Sequence, residues 1–279
     1  MMLLVGDEPL SRYSRLLRTP LGCGLLVQSR VYSSLLKRQL VCSSLKGLFV
    51  MSRIGPSYEW WQIEDTKIYP YRAIAYLQTA WKDNSVYGGT AFFIGPYTLM
   101  TAGHNLWSRD PGDPTHGWVE SIKVIPGRNG VSYPFEPIMA SNWDAAYEFV
   151  HYGDQNYDYG VIVIPEPLGN ITSWFGLHAM RDSNLLNVAE AYVCGYRQGG
   201  TMWCDAGRVT NVDDMNVYYS MDTDGTQSGS PVYYKYGDTC YAFAIHNFGE
   251  SRPGWGNSGA RITDSLYSGM KAWKDEPFG

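Results

Sequence analysis

Three polar residues stand where short apolar runs begin or end, and their types suit nucleophilic acyl transfer. Ser228 lies in Asp222-Thr223-Asp224-Gly225-Thr226-Gln227-Ser228-Gly229-Ser230-Pro231, small residues between the β-rich runs Val217–Met221 and Val232–Tyr234. A serine on a tight loop exposes a hydroxyl that can attack a carbonyl and backbone amides that can hold the resulting oxyanion. Upstream, Thr101-Ala102-Gly103-His104 ends one apolar run and Asn156-Tyr157-Asp158-Tyr159-Gly160 opens another. The histidine is then the base, the aspartate its orienter and the serine the nucleophile. The order His104, Asp158, Ser228 differs from the serine-first order of α/β-hydrolases, and Gly225 stands three residues before Ser228, not two. Read singly, His104 fits a structural histidine, Asp158 an Asx turn and Ser228 ordinary turn chemistry. Their joint contexts favour the catalytic reading.

Such a set must be carried by a rigid frame, and the pattern supplies short β-rich runs separated by turn residues. Tyr71–Trp81, Thr90–Ile94 and Tyr97–Thr101 bring the chain to His104; Trp118–Ile125 and Tyr159–Ile164 follow. The second half repeats the design in Val188–Tyr196, Met202–Thr210, Val217–Met221, Pro231–Tyr236 and Tyr241–His246. Many short strands spaced by turns predict an all-β sandwich or barrel. One helix should close the chain: Thr263 can cap it, and Ile262, Leu266, Met270 and Trp273 fall on one face at helical spacing. Gly269 inside it costs about 1 kcal/mol relative to Ala, so packing must hold that helix.

From about Ile54 to Trp273 the chain resembles the glutamyl-endopeptidase branch of the chymotrypsin-like serine proteases. Six stretches in order carry the likeness: Tyr69-Pro70-Tyr71-Arg72-Ala73-Ile74; Ile94-Gly95-Pro96 with Thr101-Ala102-Gly103-His104; Pro126-Gly127-Arg128-Asn129-Gly130; Asn156-Tyr157-Asp158-Tyr159-Gly160; Gln227-Ser228-Gly229-Ser230-Pro231; and Gly259-Ala260-Arg261-Ile262-Thr263. The resemblance implies two six-stranded antiparallel β-barrels with a C-terminal helix, dividing near residues 165–185. It implies a serine endopeptidase working on peptide or protein substrates through His104, Asp158 and Ser228. Ser228 is preferred over Ser230 because the family places its reactive serine before Gly. The backbone N–H groups of Thr226 and Ser228 would form the oxyanion hole. His246 matches the histidine this branch uses at the base of its specificity pocket and Thr223 its hydroxyl donor, which implies cleavage after Glu and less readily Asp. An imidazolium with a nearby hydroxyl can meet a carboxylate there.

Two positions depart from the family. Asn105 stands where many members have a cysteine, and Thr226 where glycine is usual. Thr226 is β-branched, so positive φ strains it. Either the peptide turns over or the loop takes another path, and losing one oxyanion donor costs about 10²–10³ in rate. That departure favours, as a rival, a non-catalytic binding protein of the same fold. Asp222, one residue from the pocket position, is a near miss for trypsin-like specificity and stands as a weaker rival.

The chain has 279 residues, 44% hydrophobic and 15% aromatic, a globular composition rather than a disordered one. Residues 1–53 hold eight basic and two acidic residues, a net of +6; the remainder holds 14 basic and 25 acidic, a net of −11. An acidic body disfavours nucleic acid and anionic membranes as partners, and no apolar run reaches the roughly 20 residues of a membrane span. Residues 1–53 are expected to be a targeting or pro-segment of a zymogen, and 54–279 the protease domain of a secreted monomer. Five cysteines occur at 23, 42, 194, 204 and 240 with no metal-ligand spacing, so no metal or cofactor is expected. Cys194 and Cys204 flank the Gly199-Gly200 turn, where a cross-strand disulfide would need Cα atoms roughly 5.5–6 Å apart.

Overall fold

Alternation along each strand explains how the chain packs, because successive side chains leave a strand on opposite faces. The computed structural model describes residues 60–275; the expected pro-segment lies outside them. In Ala91-Phe92-Phe93, Ala91 and Phe93 enter one core while Phe92 enters another. Leu99 and Met100 divide in the same way. The first core, with Leu77, Trp81, Phe93, Leu99, Val124 and Ile162, lies inside the sheet formed by the first half of the chain. A core in the second half gathers Val193, Val217, Tyr219, Val232 and Phe243. The largest core joins the two halves: Ile74, Phe92, Met100 and Val161 meet Tyr196, Tyr233 and Ile245.

Each sheet curls so that one bent run of chain lies at or beside both of its ends; in the second sheet the short strand Trp61–Gln62 adds outside Met202–Gly207. In the first sheet Ile138–Met139 pairs with Ser121–Pro126 at one edge, and Asn142–Ala145 pairs with Gly160–Val163 at the other. Only Ala140 and Ser141 separate these two pieces. In the second, Met202–Gly207 pairs with Ala191–Tyr196 and Val209–Val212 pairs with Asn216–Tyr219, with Arg208 alone between them. Counting each bent run as one strand gives six principal strands per sheet. The first comprises Ile74–Ala80, Val86–Phe93, Thr98–Thr101, Ser121–Pro126, residues 138–145 and Gly160–Val163. The second comprises Ala191–Tyr196, residues 202–212, Asn216–Tyr219, Pro231–Tyr236, Thr239–Arg252 and Gly256–Arg261. These are the two barrels the sequence implied.

The closing helix spans Asp264–Asp275, and Thr263 Oγ1 accepts the Leu266 N–H at 3.2 Å. Ile262, Leu266 and Met270 are buried against the inter-barrel core. Cys194 and Cys204 face each other in register and form a disulfide with Cα atoms 4.1 Å apart, while Cys240 is free and buried.

Candidate active site

The proposed triad members come from both barrels, His104 and Asp158 from the first and Ser228 from the second. The strand Thr98–Thr101 ends in a single 3₁₀ turn, Gly103–Asn105, which carries His104. Asp158 caps another 3₁₀ turn, Gln155–Tyr157, just before the strand Gly160–Val163. The two flanking strands pair antiparallel, Thr101 opposite Gly160, so both residues leave the same end of the sheet.

Asp158 is fully buried, and its two oxygens take both hydrogens that His104 offers on this side. Oδ1 accepts the backbone N–H at 2.8 Å and Oδ2 accepts Nδ1–H at 2.7 Å. A Cβ on Gly103 would lie 2.9 Å from the Phe149 ring and 3.1 Å from Asp158 Oδ1, so this close approach needs glycine. Burial disfavours a charged His104 ring, but the adjacent carboxylate, by charge and hydrogen bond, outweighs it and holds the pKa above the ordinary histidine value. With Nδ1–H fixed on Asp158, Nε2 is the basic nitrogen. The ring stacks on Phe248, centroids 5.9 Å apart.

Ser228 follows the 3₁₀ turn Gly225–Gln227, and its loop is tied to both barrels. Its carbonyl accepts the Thr90 N–H at 2.9 Å and Asn105 Nδ2–H at 2.9 Å. Asn105 also donates to Thr101 Oγ1, so the residue next to His104 bridges directly to the serine. Gly229 has φ +90° and a Cβ there would lie 2.0 Å from the Thr90 carbonyl, which explains the glycine after the serine. Ser228 is 8% exposed and its hydroxyl donates to the Gly225 carbonyl at 3.2 Å. Ser230 is fully buried, its hydroxyl donating to the Gln227 carbonyl. An open cleft of about 580 Å³ runs past His104, Trp107, Arg109, Phe149, Gly225 and Phe248.

His246 lies beside the serine loop: the Gly229 N–H donates to its carbonyl at 2.7 Å, and its own N–H donates to the Ser230 carbonyl at 2.9 Å. The side chain is 2% exposed. Tyr219 Oη donates its one hydrogen to the Ser258 carbonyl at 2.9 Å, so it must accept from Nδ1–H of His246, 2.5 Å away. Burial pushes the His246 pKa down to about 3, overcoming the Ser258 carbonyl, which favours the charged ring. In the free protein the ring is therefore neutral, because a buried charge without a counter-ion is disfavoured, and the imidazolium that could meet a carboxylate belongs to the complex. Thr223 is half-buried and its hydroxyl accepts from Asn257 Nδ2 at 2.8 Å. Asp222 is exposed.

Sequence reasoning missed Asn105, Thr90, Tyr219 and Ser258 as supporting residues. Asn105 was marked only by departing from a family pattern, and the others look like ordinary strand residues. Among the described residues no three His, Cys, Asp or Glu side chains are placed to hold a metal ion.

The fold and this arrangement define a class, and comparison with known proteins agrees. Residues 89–239 match the trypsin-like peptidase domain family. The chain belongs to that family, the chymotrypsin-like serine endopeptidases, and within it to the glutamyl-endopeptidase type. It is 34% identical over 220 residues to an extracellular metalloprotease of Bacillus subtilis, covering 77% of this chain and 67% of that one. It is 32% identical over 222 residues to a glutamyl endopeptidase of Bacillus licheniformis, covering 77% of this chain and 66% of that one. The chain thus spans about two thirds of the length of these relatives. A solved Glu endopeptidase structure superposes with a TM-score of 0.67 at 22% identity, over 80% of this chain and 99% of that one, which speaks to the fold.

Proposed function

We propose that this protein hydrolyses peptide bonds after Glu, and less readily after Asp, through His104, Asp158 and Ser228. The observation that carries the reading is the buried Asp158 carboxylate holding His104 Nδ1–H at 2.7 Å, one hydrogen-bonded residue away from the Ser228 loop. In this scheme Nε2 of His104 removes the Ser228 proton as the oxygen attacks the carbonyl, then returns it to the departing amine. Water repeats the sequence on the acyl ester. Ser228 is favoured over Ser230 because the Ser230 hydroxyl is sealed beneath the loop.

Glu selectivity rests on His246 and Thr223. Nδ1–H of His246 is engaged with Tyr219, leaving Nε2 as the edge for a ligand, and the Thr223 hydroxyl is free to donate while accepting from Asn257. Residues 54–279 form the protease domain, dividing near 165–185. Residues 1–53 are removed on maturation, and the protein is a secreted monomer that engages neither nucleic acid nor membrane. A disulfide of the Cys194–Cys204 kind persists in oxidising compartments, in keeping with secretion. Among the described residues no helix is long and apolar enough to cross a membrane.

Cleavage-site profiling on a peptide mixture tests the reading. Cuts after Glu that vanish in Ser228→Ala support it; cuts after Lys or Arg would move the pocket to Asp222. N-terminal sequencing of the active form should give a start near Ile54. One observation favours the rival binding protein: the Gly225 carbonyl occupies the Ser228 hydroxyl. A folded protein that refuses a fluorophosphonate probe would support that rival.

A further inference from the structure

The direction of one peptide bond at the serine loop has consequences for turnover. Ser228 Oγ donates to the carbonyl of Gly225 at 3.2 Å. The peptide unit is planar and trans, so the carbonyl of Gly225 and the N–H of Thr226 point in opposite directions. With that carbonyl toward the Ser228 hydroxyl, the Thr226 N–H points away from the reacting oxygen. An oxyanion formed there would meet the negative end of a carbonyl dipole where the chemistry needs a donor.

This orientation is fastened by several groups. Residues 225–227 form a 3₁₀ turn capped by Asp224, whose N–H donates to Gln227 Oε1 at 2.8 Å while its side chain accepts from the Gln227 backbone. Arg197 Nε holds the Asp224 carboxylate at 3.1 Å. Thr226 is pinned at both ends: its hydroxyl donates to the Tyr196 carbonyl at 2.8 Å, and its own carbonyl accepts from Thr90 Oγ1 at 3.0 Å. Thr90 Oγ1 in turn accepts the Tyr196 N–H.

Turning the Gly225–Thr226 peptide over changes only ψ of Gly225 and φ of Thr226. Gly225 is exposed, and a Cβ there would meet nothing within 4 Å, so it can turn freely. Thr226 cannot. Positive φ outside glycine occurs among the described residues at Asn84 and Ser173, so Thr226 now sits at negative φ. The flip would carry it to positive φ, where a β-branched side chain collides with its own backbone.

We infer that the oxyanion hole rests closed by the Gly225 carbonyl, and that Thr226 is the positioning residue that keeps it closed until substrate turns the Gly225–Thr226 peptide. The inference rests on the reading of Ser228 as nucleophile. The substrate carbonyl oxygen, seeking donors as it becomes an oxyanion, supplies the drive for the flip. Each turnover therefore carries the cost of strained Thr226, paid in kcat because the open state is needed only as charge develops.

Thr226→Gly removes the strain and the hydroxyl pin, and Thr226→Ser removes the branch while keeping the pin. On a Glu-containing peptide amide, Thr226→Gly should raise kcat roughly tenfold with KM little changed, from the usual cost of left-handed backbone in a non-glycine residue. The same variant should tighten, by a similar factor, a peptidyl trifluoromethyl ketone, whose carbonyl carbon Ser228 Oγ attacks so that the C=O pair becomes the oxyanion and the hydroxyl proton passes to His104 Nε2. The matching cleaved peptide should bind unchanged. Thr226→Ser should show a smaller gain in the same two readouts. If Thr226→Gly fails to fold by circular dichroism, Thr226→Ser decides. Wild-type activity with no gain in kcat or ketone affinity in the folded variants overturns the inference and leaves Ser228 as nucleophile. Activity that survives Ser228→Ala, or is absent from wild type and every variant, overturns the reading of Ser228 and this inference with it.

Discussion

Binding of a glutamate side chain over His246 should draw one proton from solution. In the free protein Nδ1–H of His246 is spent on Tyr219 Oη, so Nε2 of the neutral ring is a bare acceptor. With the Nδ1–H tautomer kept, a carboxylate and a bare nitrogen hydrogen-bond only if one of them takes up a proton. With the His246 pKa pushed down to about 3, charging the ring at pH 7 costs about 5 kcal/mol, at about 1.4 kcal/mol per unit. Protonating the glutamate instead, from its ordinary value of about 4.3, costs about 4 kcal/mol. The two routes are close and both end with one shared proton, so uptake does not depend on which group formally carries it. Affinity for the Glu side chain should fall about tenfold per pH unit above the ordinary glutamate pKa, until the complex itself loses the proton. Calorimetric titration of the Ser228→Ala protein with a Glu peptide, at pH 7 in two buffers of different ionisation enthalpy, counts the protons directly. Uptake near one is expected for Glu and near zero for the Gln analogue. His246→Leu should abolish the uptake and lower kcat/KM for Glu substrates roughly 10- to 100-fold more than for Gln, the worth of a hydrogen bond to a charged group. No uptake with His246 intact, or equal uptake in His246→Leu, would refute the reasoning.

Asp158→Asn should leave the fold intact by circular dichroism and lower kcat about 10⁴-fold, because an amide can hold the wrong imidazole tautomer. His104 must be neutral to act as base and its pKa is raised, so kcat/KM for uncharged substrates should fall with acid along a limb lying above pH 6.5. The stabilisation from that imidazolium–carboxylate contact runs the other way: it is full at pH below the unfolded value and is lost as pH rises through the folded one. A pH–rate limb at or below the ordinary histidine value would contradict the Asp158 contact. Gly269→Ala should stabilise the closing helix by about 1 kcal/mol and raise Tm by about 2–4 °C in calorimetry, since the new Cβ meets only the Trp273 ring, at 3.7 Å or beyond. A lower Tm would mean that glycine is needed for docking.

The sequence by itself determined the features that local chemistry writes. Apolar runs with turn residues between them gave the strands that lead to His104 and Asp158. The spacing of Ile262, Leu266 and Met270 with Thr263 ahead gave the helix and its cap, and both are present. Gly229 after Ser228 was read from the family pattern alone, and the structure supplies its physical reason in the close approach to the Thr90 carbonyl. Asn142–Ala145 was not legible: Asn-Trp-Asp-Ala carries no strand alternation, and it is a strand because Gly160–Val163 offers it hydrogen bonds. Closure of each barrel by one bent run was likewise invisible, since it depends on pairing partners far apart in the chain. The same holds for Asn105, whose amide reaches a carbonyl 123 residues away. The charge on His246 in the free protein was not legible from residue type, since burial beside Tyr219 and Ser258 decides it. Most local of all, yet set from afar, is the direction of the Gly225–Thr226 peptide. Its two orientations share one sequence and differ by a rotation of two dihedrals, so contacts to Tyr196, Thr90 and Arg197 choose between them. Composition and spacing fix which groups are available; only packing fixes which way a peptide faces and whether a buried ring holds a proton, because both depend on neighbours that distant segments supply.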